Sequence, residues 1–222
     1  MKKFNPKLIM IDVDGTLVDS AADLAYCVDE LMVAMGRQKW GEEKVRHWVG
    51  NGVPKLVERA LTGELEGVVN QQDYDKAYPL FLQLYAANTC TLSALYPGVK
   101  EGLNYLQSCG YKLGCVTNKA EQFTLPILKK LGIFDAFSIV ISGDTLPKKK
   151  PDPLPLLHAA EFFAVEAKDA LMVGDSISDV KASRAAGFAI ICMSYGYNHG
   201  NDIATTNPDL VIDSMAQLKD YL

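Results

Sequence analysis

Apolar residues gather into short runs that close on polar ones: LIMID (8–12), KLGCVTN (112–118), FSIVISGD (137–144), ALMVGD (170–175), AIICMS (189–194) and DLVID (209–213). Runs of this length, bounded by turn-forming residues, predict strands. Helical periodicity fills the spaces between them. In PGVKEGLNYLQSCG (97–110), Pro97 suits a helix start, Val99, Leu103 and Leu106 share one face, and Gly110 suits the stop. Strands alternating with helices predict an α/β fold built on a doubly wound parallel sheet. Such sheets bind ligands at the carboxyl ends of their strands, which is where the polar clusters fall.

The spacing of strand ends predicts a second unit. From Thr117 onward the ends recur at Asp144, Asp175 and Ser194, intervals of 27, 31 and 19 residues that leave room for no more than a single βαβ unit each. The first interval, from Asp12 to Thr117, is far longer. It holds four helical patterns, at 20–36, 42–50, 53–61 and 73–89. The expected organisation is a core domain of residues 1–19 and 93–222, with a helical cap domain of residues 20–92 inserted over the strand ends. No internal repeat or low-complexity tract interrupts it.

Composition narrows the partners. The chain has 222 residues, 49% of them hydrophobic, enough for one substantial core with an appended unit. A net charge of -5 and a pI near 5.2 provide no broad basic footprint, so neither nucleic acid nor a membrane surface is an expected partner. The five cysteines (Cys27, Cys90, Cys109, Cys115, Cys192) are odd in number, scattered and never in a CxxC pair. They argue against a disulfide framework or zinc site and fit a reducing cytoplasm. The opening MKK is followed by an apolar run too brief for a signal-peptide core or membrane span, so the mature chain is expected to start at or near Met1.

The chemistry begins in IMIDVDGTLVDS (9–20), where two carboxylates stand two residues apart after a buried run. An Asp at a strand's carboxyl end can attack phosphorus as a covalent nucleophile. A phosphate dianion would meet repulsion of about 4 kcal/mol per unit-charge pair at 4 Å and an effective dielectric near 20, so positive charge must be supplied. Mg2+ suits the task because it takes hard oxygen ligands from one or two carboxylates and the phosphate itself. Asp12 and Asp175 are the first candidates to hold it. Lys150, in KKKPDP, offers a second fixed cation. Thr117 and Asn118 offer a hydroxyl and an amide to phosphate oxygens. Asp14 suits a general acid that protonates the leaving alkoxide and then, as base, activates water. Singly these segments read equally as a turn, a solvated loop or a helix cap, and their conjunction carries the assignment. His47, His158 and His199 show no ligand spacing, and Tyr195 and Tyr197 read as packing residues.

DVDGT (12–16), VTNK (116–119), KKPDP (149–153) and VGDSISD (173–179) together resemble the four ordered motifs of the haloacid dehalogenase-like superfamily. The resemblance spans nearly the whole chain and implies a Rossmann-like core with a helical cap, as in the superfamily's phosphatases. It further implies that Asp12 is nucleophile and Mg2+ ligand, that Asp14 is acid/base and ligates through its backbone carbonyl, and that Asp175 is the third ligand. Ser176 and Asp179 would stand behind these ligands, and Lys150 would be the lysine of the third motif. Asp14 also sorts the chemistry, since superfamily members that cleave other bonds lack the second Asp. RHWVGNGVPKLVERAL (46–61) and SYGYNHG (194–200) resemble segments of bacterial members that hydrolyse 2-phosphoglycolate to glycolate and phosphate.

In the cap segment, the glycines of GNGVP and Pro54 suit a helix start with outward N–H groups, and Arg46, Asn51, Gly52 and Lys55 are the candidates to hold the carboxylate of a small phosphorylated metabolite. Two rivals stay open: a sugar-phosphate mutase or other small-molecule phosphatase, and a non-enzymatic receiver-like domain phosphorylated on Asp. A monomer or homodimer is expected.

Overall fold

The structure, a computed structural model, describes residues 4–222; the MKK reading falls on residues outside them. The chain opens with β1 (Leu8–Ile11), whose four side chains are wholly buried. Leu8 and Met10 join one core cluster while Ile9 and Ile11 join another on the opposite face of the sheet. This period-two division is why the run is apolar throughout: a parallel strand at the centre of a sheet is covered on both faces.

Next come β2 (Val18–Asp19), α1 (Ala21–Ala34), α2 (Glu42–Arg46), α3 (Val53–Thr62), α4 (Gln71–Asn88) and β3 (Ala94–Leu95). The remaining elements are α5 (Val99–Ser108), β4 (Lys112–Val116), α6 (Glu121–Lys130), β5 (Ile139–Ile141), α7 (Leu154–Phe162), β6 (Ala170–Gly174), α8 (Ile177–Ala186), β7 (Ala189–Met193) and β8 (Leu210–Ile212). Six strands form one parallel sheet in the order β5-β4-β1-β6-β7-β8. Ile11 stands opposite Cys115 of β4 on one side and Val173 of β6 on the other. That register brings Asp12, Thr117 and Asp175 to one edge of the sheet from positions up to 163 residues apart.

Helices α1 to α4 enclose a separate apolar cluster that includes Leu24, Leu31, Trp48, Leu56, Phe81 and Tyr85, and Phe123 and Tyr197 reach into it from the sheet side. Asn70 caps α4 by accepting from the N–H groups of Gln72 (2.9 Å) and Asp73 (3.2 Å). The two connections to this helical unit are pinched together. Val18 and Asp19 pair antiparallel with Leu95 and Ala94, and the buried Asp23 accepts the N–H groups of Leu92 and Ser93, each at 2.8 Å. These two-residue strands are too short to leave a periodic signal. The helix expected over 42–50 ends at Arg46, and the chain turns through Gly50 (φ 133°) and Gly52 (φ 86°) before α3. Among the described residues no helix is long and apolar enough to cross a membrane.

Candidate active site

At the end of β1, Asp12 is anchored by its own N–H, which donates to the Val173 carbonyl at 3.0 Å. The Lys150 ammonium lies 3.0 Å from Asp12 Oδ1, 2.6 Å from Asp179 Oδ1 and 2.9 Å from the Val116 carbonyl. Asp179 is held in turn by the start of α8. Its Oδ2 accepts from the N–H of Ser176 (3.0 Å), the Ser176 hydroxyl (2.7 Å) and the N–H of Asp175 (3.2 Å), a reciprocal capping box. Asp179 therefore fixes Lys150, and Lys150 faces Asp12.

Asp175 accepts from the Thr16 hydroxyl (2.8 Å) and the Tyr197 N–H (2.6 Å). A Cβ on either Gly15 (φ 85°) or Gly196 would overlap its carboxylate, so both positions demand glycine. Tyr197, expected only to pack, thus orients a candidate metal ligand. Its hydroxyl accepts the N–H groups of Ser20 and Ala21 and donates to Asp19.

Asp14 has partners of its own. Ser20 Oγ donates to its Oδ1 at 2.6 Å, and Lys119 Nζ spans both oxygens at 3.0 and 2.9 Å. Lys119 is almost wholly buried, with its ammonium 5.0 Å from the centre of the Tyr85 ring. Lys119 ends the VTNK segment but was not among the expected site residues. The signal available was a cation directly after a strand's polar end, in a strand that the fold sets beside β1.

Burial dominates the electrostatics. It pushes the Asp12 carboxyl up to about 7 against the pull of Lys150, and it raises Asp175 well above the carboxylate range, reinforced by the charges of Asp179 and Asp12. Lys150 stays cationic despite burial because Asp12 and Asp179 face it. Asp12, Asp175 and Asp179 each bring an oxygen within 4.8 Å of the others. One ammonium thus stands against three buried carboxylates. Asp12 Oδ1 is buried with no aligned hydrogen bond, its Lys150 contact being an ion pair only. An orphaned hard oxygen in an excess of buried negative charge fits a divalent cation such as Mg2+. With Asp179 engaged by Lys150 and the α8 cap, Asp12 and Asp175 are the carboxylates best placed to hold it.

The aspartates open onto a cleft of about 510 Å³ of empty space, lined from the sheet by Asp12, Asp14, Thr117, Asn118, Lys119, Asp175 and Ser176, and from the helical unit by Leu24, Val49, Gly50, Gly52, Val53 and Leu56. The Thr117 hydroxyl accepts the Lys119 N–H at 3.2 Å. Asn118 departs from expectation. Its side-chain amide donates to the carbonyls of Lys150 (2.9 Å) and Gly50 (3.5 Å), so its NH2 group braces the loop and the turn, and the buried Oδ1 is left without a partner.

Of the four expected cap residues, Gly52 alone lines the cleft. Arg46 binds Asp19 and Glu42; Lys55 lies 2.7 Å from Glu58. Asn51 is held through Oδ1 by Arg59 at 2.7 Å. Helix periodicity hid Arg59. It is 3% exposed, and its guanidinium braces the turn from within by donating also to the carbonyls of Trp48 (2.6 Å) and Leu65 (3.0 Å). Lys149 holds the same turn from the sheet side, donating to the Asn51 carbonyl at 2.9 Å.

The parallel sheet, the inserted helices and the ordered aspartates and lysine at the strand ends define a hydrolase class: residues 9–193 match the haloacid dehalogenase-like hydrolase family, and the chain belongs to it. Within that family it is 60% identical to a phosphoglycolate phosphatase of Nitrosococcus oceani over 217 residues, covering 98% of this chain and 96% of the relative. It is 46% identical to a phosphoglycolate phosphatase of Nitrosospira multiformis, covering 94% and 92% of the two chains. A crystal structure of a predicted phosphoglycolate phosphatase from Haemophilus somnus superposes with a TM-score of 0.91 at 36% identity, covering 99% of this chain and 98% of that one.

Proposed function

We propose that this chain is a cytoplasmic, Mg2+-dependent phosphatase that hydrolyses 2-phosphoglycolate to glycolate and phosphate. The observation that carries this reading is the pairing of Asp12 and Asp14, each with its own buried lysine, at one mouth of the cleft between the sheet and the helices. The names of relatives matched over nearly the full chain support the choice of substrate. Five unpaired cysteine thiols fit a reducing compartment.

Asp12 attacks phosphorus while the bond to the ester oxygen breaks, and Asp14 supplies that oxygen with a proton. Thr117 offers its hydroxyl to the transferring group, and Lys150 holds the Asp12 carboxylate in place behind it. Asp14, now a carboxylate, takes a proton from water as the water attacks phosphorus, and the P–O bond to Asp12 breaks to release phosphate. Mg2+ held by Asp12, Asp175 and the Asp14 carbonyl would neutralise the carboxylates and the phosphoryl oxygens together. Ser176 and Asp179 keep Lys150 and the Asp175 turn in place.

The test is phosphate release from a panel of small monoesters, with Mg2+ and with chelator. The expected result is a preference for 2-phosphoglycolate, net phosphate release without any acceptor, and loss of turnover in chelator. Turnover indifferent to chelator would overturn the metal assignment, and conversion of a sugar phosphate without net phosphate release would replace hydrolysis by a mutase.

A further inference from the structure

The two faces of the cleft differ in what they can offer an anion. From the helical unit come Leu24, Val49, Val53 and Leu56 with two glycines, and no charged side chain among the described residues. Arg46 and Lys55, the cations nearest in sequence, are engaged by acidic partners elsewhere. On the sheet side, Lys150 is held between Asp12 and Asp179 and does not line the cleft. Lys119 is the cation that does.

Its position relative to Asp14 matters as much as its charge. A general acid must come within roughly 3 Å of the ester oxygen it protonates. In 2-phosphoglycolate a single methylene separates that oxygen from the carboxylate, so a substrate seated against Asp14 carries its carboxylate into the same neighbourhood. The nearest cation there is the Lys119 ammonium, 2.9 Å from Asp14 Oδ2. An ammonium has three donors and can serve two carboxylates at once. Without it, the substrate carboxylate would enter a buried site already holding Asp12, Asp14 and Asp175, where like charges repel strongly and water cannot screen them. The Tyr85 ring stacked beneath the ammonium, with Tyr85 fully buried, keeps the lysine's position fixed before substrate arrives.

We propose that Lys119 is the specificity-determining residue of the cleft, the cation that receives the leaving-group carboxylate beside Asp14. This inference rests on the phosphoglycolate reading above. It makes the enzyme's selectivity a property of the sheet, with the helical unit supplying fit and exclusion of water.

The experiment compares kcat/KM for 2-phosphoglycolate with kcat/KM for 2-hydroxyethyl phosphate, which keeps the ester oxygen and replaces the carboxylate by a neutral hydroxymethyl group. Wild type, Lys119→Met, Lys119→Gln and Lys119→Arg are measured, each checked for folding by circular dichroism and thermal melting. The expected result is a preference for 2-phosphoglycolate that falls roughly 10- to 100-fold in Lys119→Met, the range for a lost charged hydrogen bond, and recovers in part in Lys119→Arg. Should the methionine variant not fold, the glutamine variant, which keeps the length and a donor but no charge, is read in the same way. A wild-type preference that survives in the neutral variants, with both substrates slowed alike, would overturn the inference and leave Lys119 as a partner of Asp14 alone. A wild type with no preference between the two esters would overturn the substrate reading itself.

Discussion

The sheet side and the helical side of the cleft are built on opposite plans. On the sheet side each carboxylate has a fixed partner: Lys150 stands between Asp12 and Asp179, Lys119 spans both oxygens of Asp14, and the neutral Thr16 hydroxyl and Tyr197 N–H hold Asp175. On the helical side the lining is aliphatic or glycine, and Arg46 of α2 and Lys55 of α3 are turned to Asp19, Glu42 and Glu58. The sheet is therefore organised for charge transfer at phosphorus. The helices close over it with a surface that costs little to desolvate and that strengthens each interaction beneath by keeping water out.

The largest effect expected from this contrast is at the nucleophile. Asp12→Asn keeps the shape and removes the attacking carboxylate, and phosphate release should fall by about 10⁴-fold or more. The same change removes a charge that burial disfavours, so the metal-free variant should melt above the wild type. An active Asp12→Asn enzyme would show that Asp12 is not the attacking group and would end the division between the two faces at once.

Next is Lys150→Met, which leaves Asp12, Asp175 and Asp179 together with no cation. Removing one partner of a buried ion network costs about 3–5 kcal/mol, and urea unfolding should show a loss of that order. A neutral outcome would mean that the sheet side tolerates unpaired charge as an exposed surface does.

A smaller effect should appear in the pH dependence of the metal-free protein. Burial raises the folded Asp12 from 3.8 to about 7 and raises Asp175 in the same direction. A carboxyl raised on folding contributes fully below its unfolded value, and the contribution is lost as pH rises through the folded one. Between pH 5 and pH 8 in chelator, the melting temperature should fall by on the order of 5 °C. Added Mg2+ should remove most of that slope, and Asp12→Asn should flatten it without metal. A slope that is the same in wild type and Asp12→Asn would assign it to groups elsewhere.

Legibility in the sequence follows the same line between the faces. Asp12 and Asp175 stand at the ends of runs whose burial is evident from their apolar composition, so their place at one end of the sheet is legible in the sequence, whereas Lys150 lies in the polar loop after β5. The inserted helices were legible as the chain left over between Asp12 and Thr117. What could not be read was orientation. Arg46 sits on a helix of five residues whose direction is set by packing, and it turns to Asp19, which lies in a strand too short to predict. Arg59 has the spacing of a surface residue, yet the turn of 48–51 folds back over it. Asn118 lines the cleft, but the direction of its amide depends on two carbonyls from distant segments. Lys119 meets Asp14 across 105 residues only because β4 lies beside β1. Side-chain direction at a tertiary junction has no periodic signature, whereas the end of a buried strand does.

The smallest effect expected is also the sharpest check on the helical side. Arg46 and Lys55 are the cations that proximity to the GNGVP turn would nominate for the substrate, and both are partly exposed and already paired. For Arg46 the pairing is mutual. Burial pushes Asp19 upward, but the Tyr197 hydroxyl and the Arg46 guanidinium outweigh it and hold the carboxyl below its usual value. Pairs open to solvent contribute about 0.2–1 kcal/mol each, so Arg46→Ala and Lys55→Ala should each lower stability by less than about 1 kcal/mol. Neither side chain lines the cleft, so kcat/KM for 2-phosphoglycolate should stay within about threefold of wild type, a change worth less than one such pair. A tenfold loss confined to KM in either variant would mean that the helical side rotates a cation into the cleft when substrate is present, and the contrast between a charged sheet and a neutral cover would hold only for the free protein.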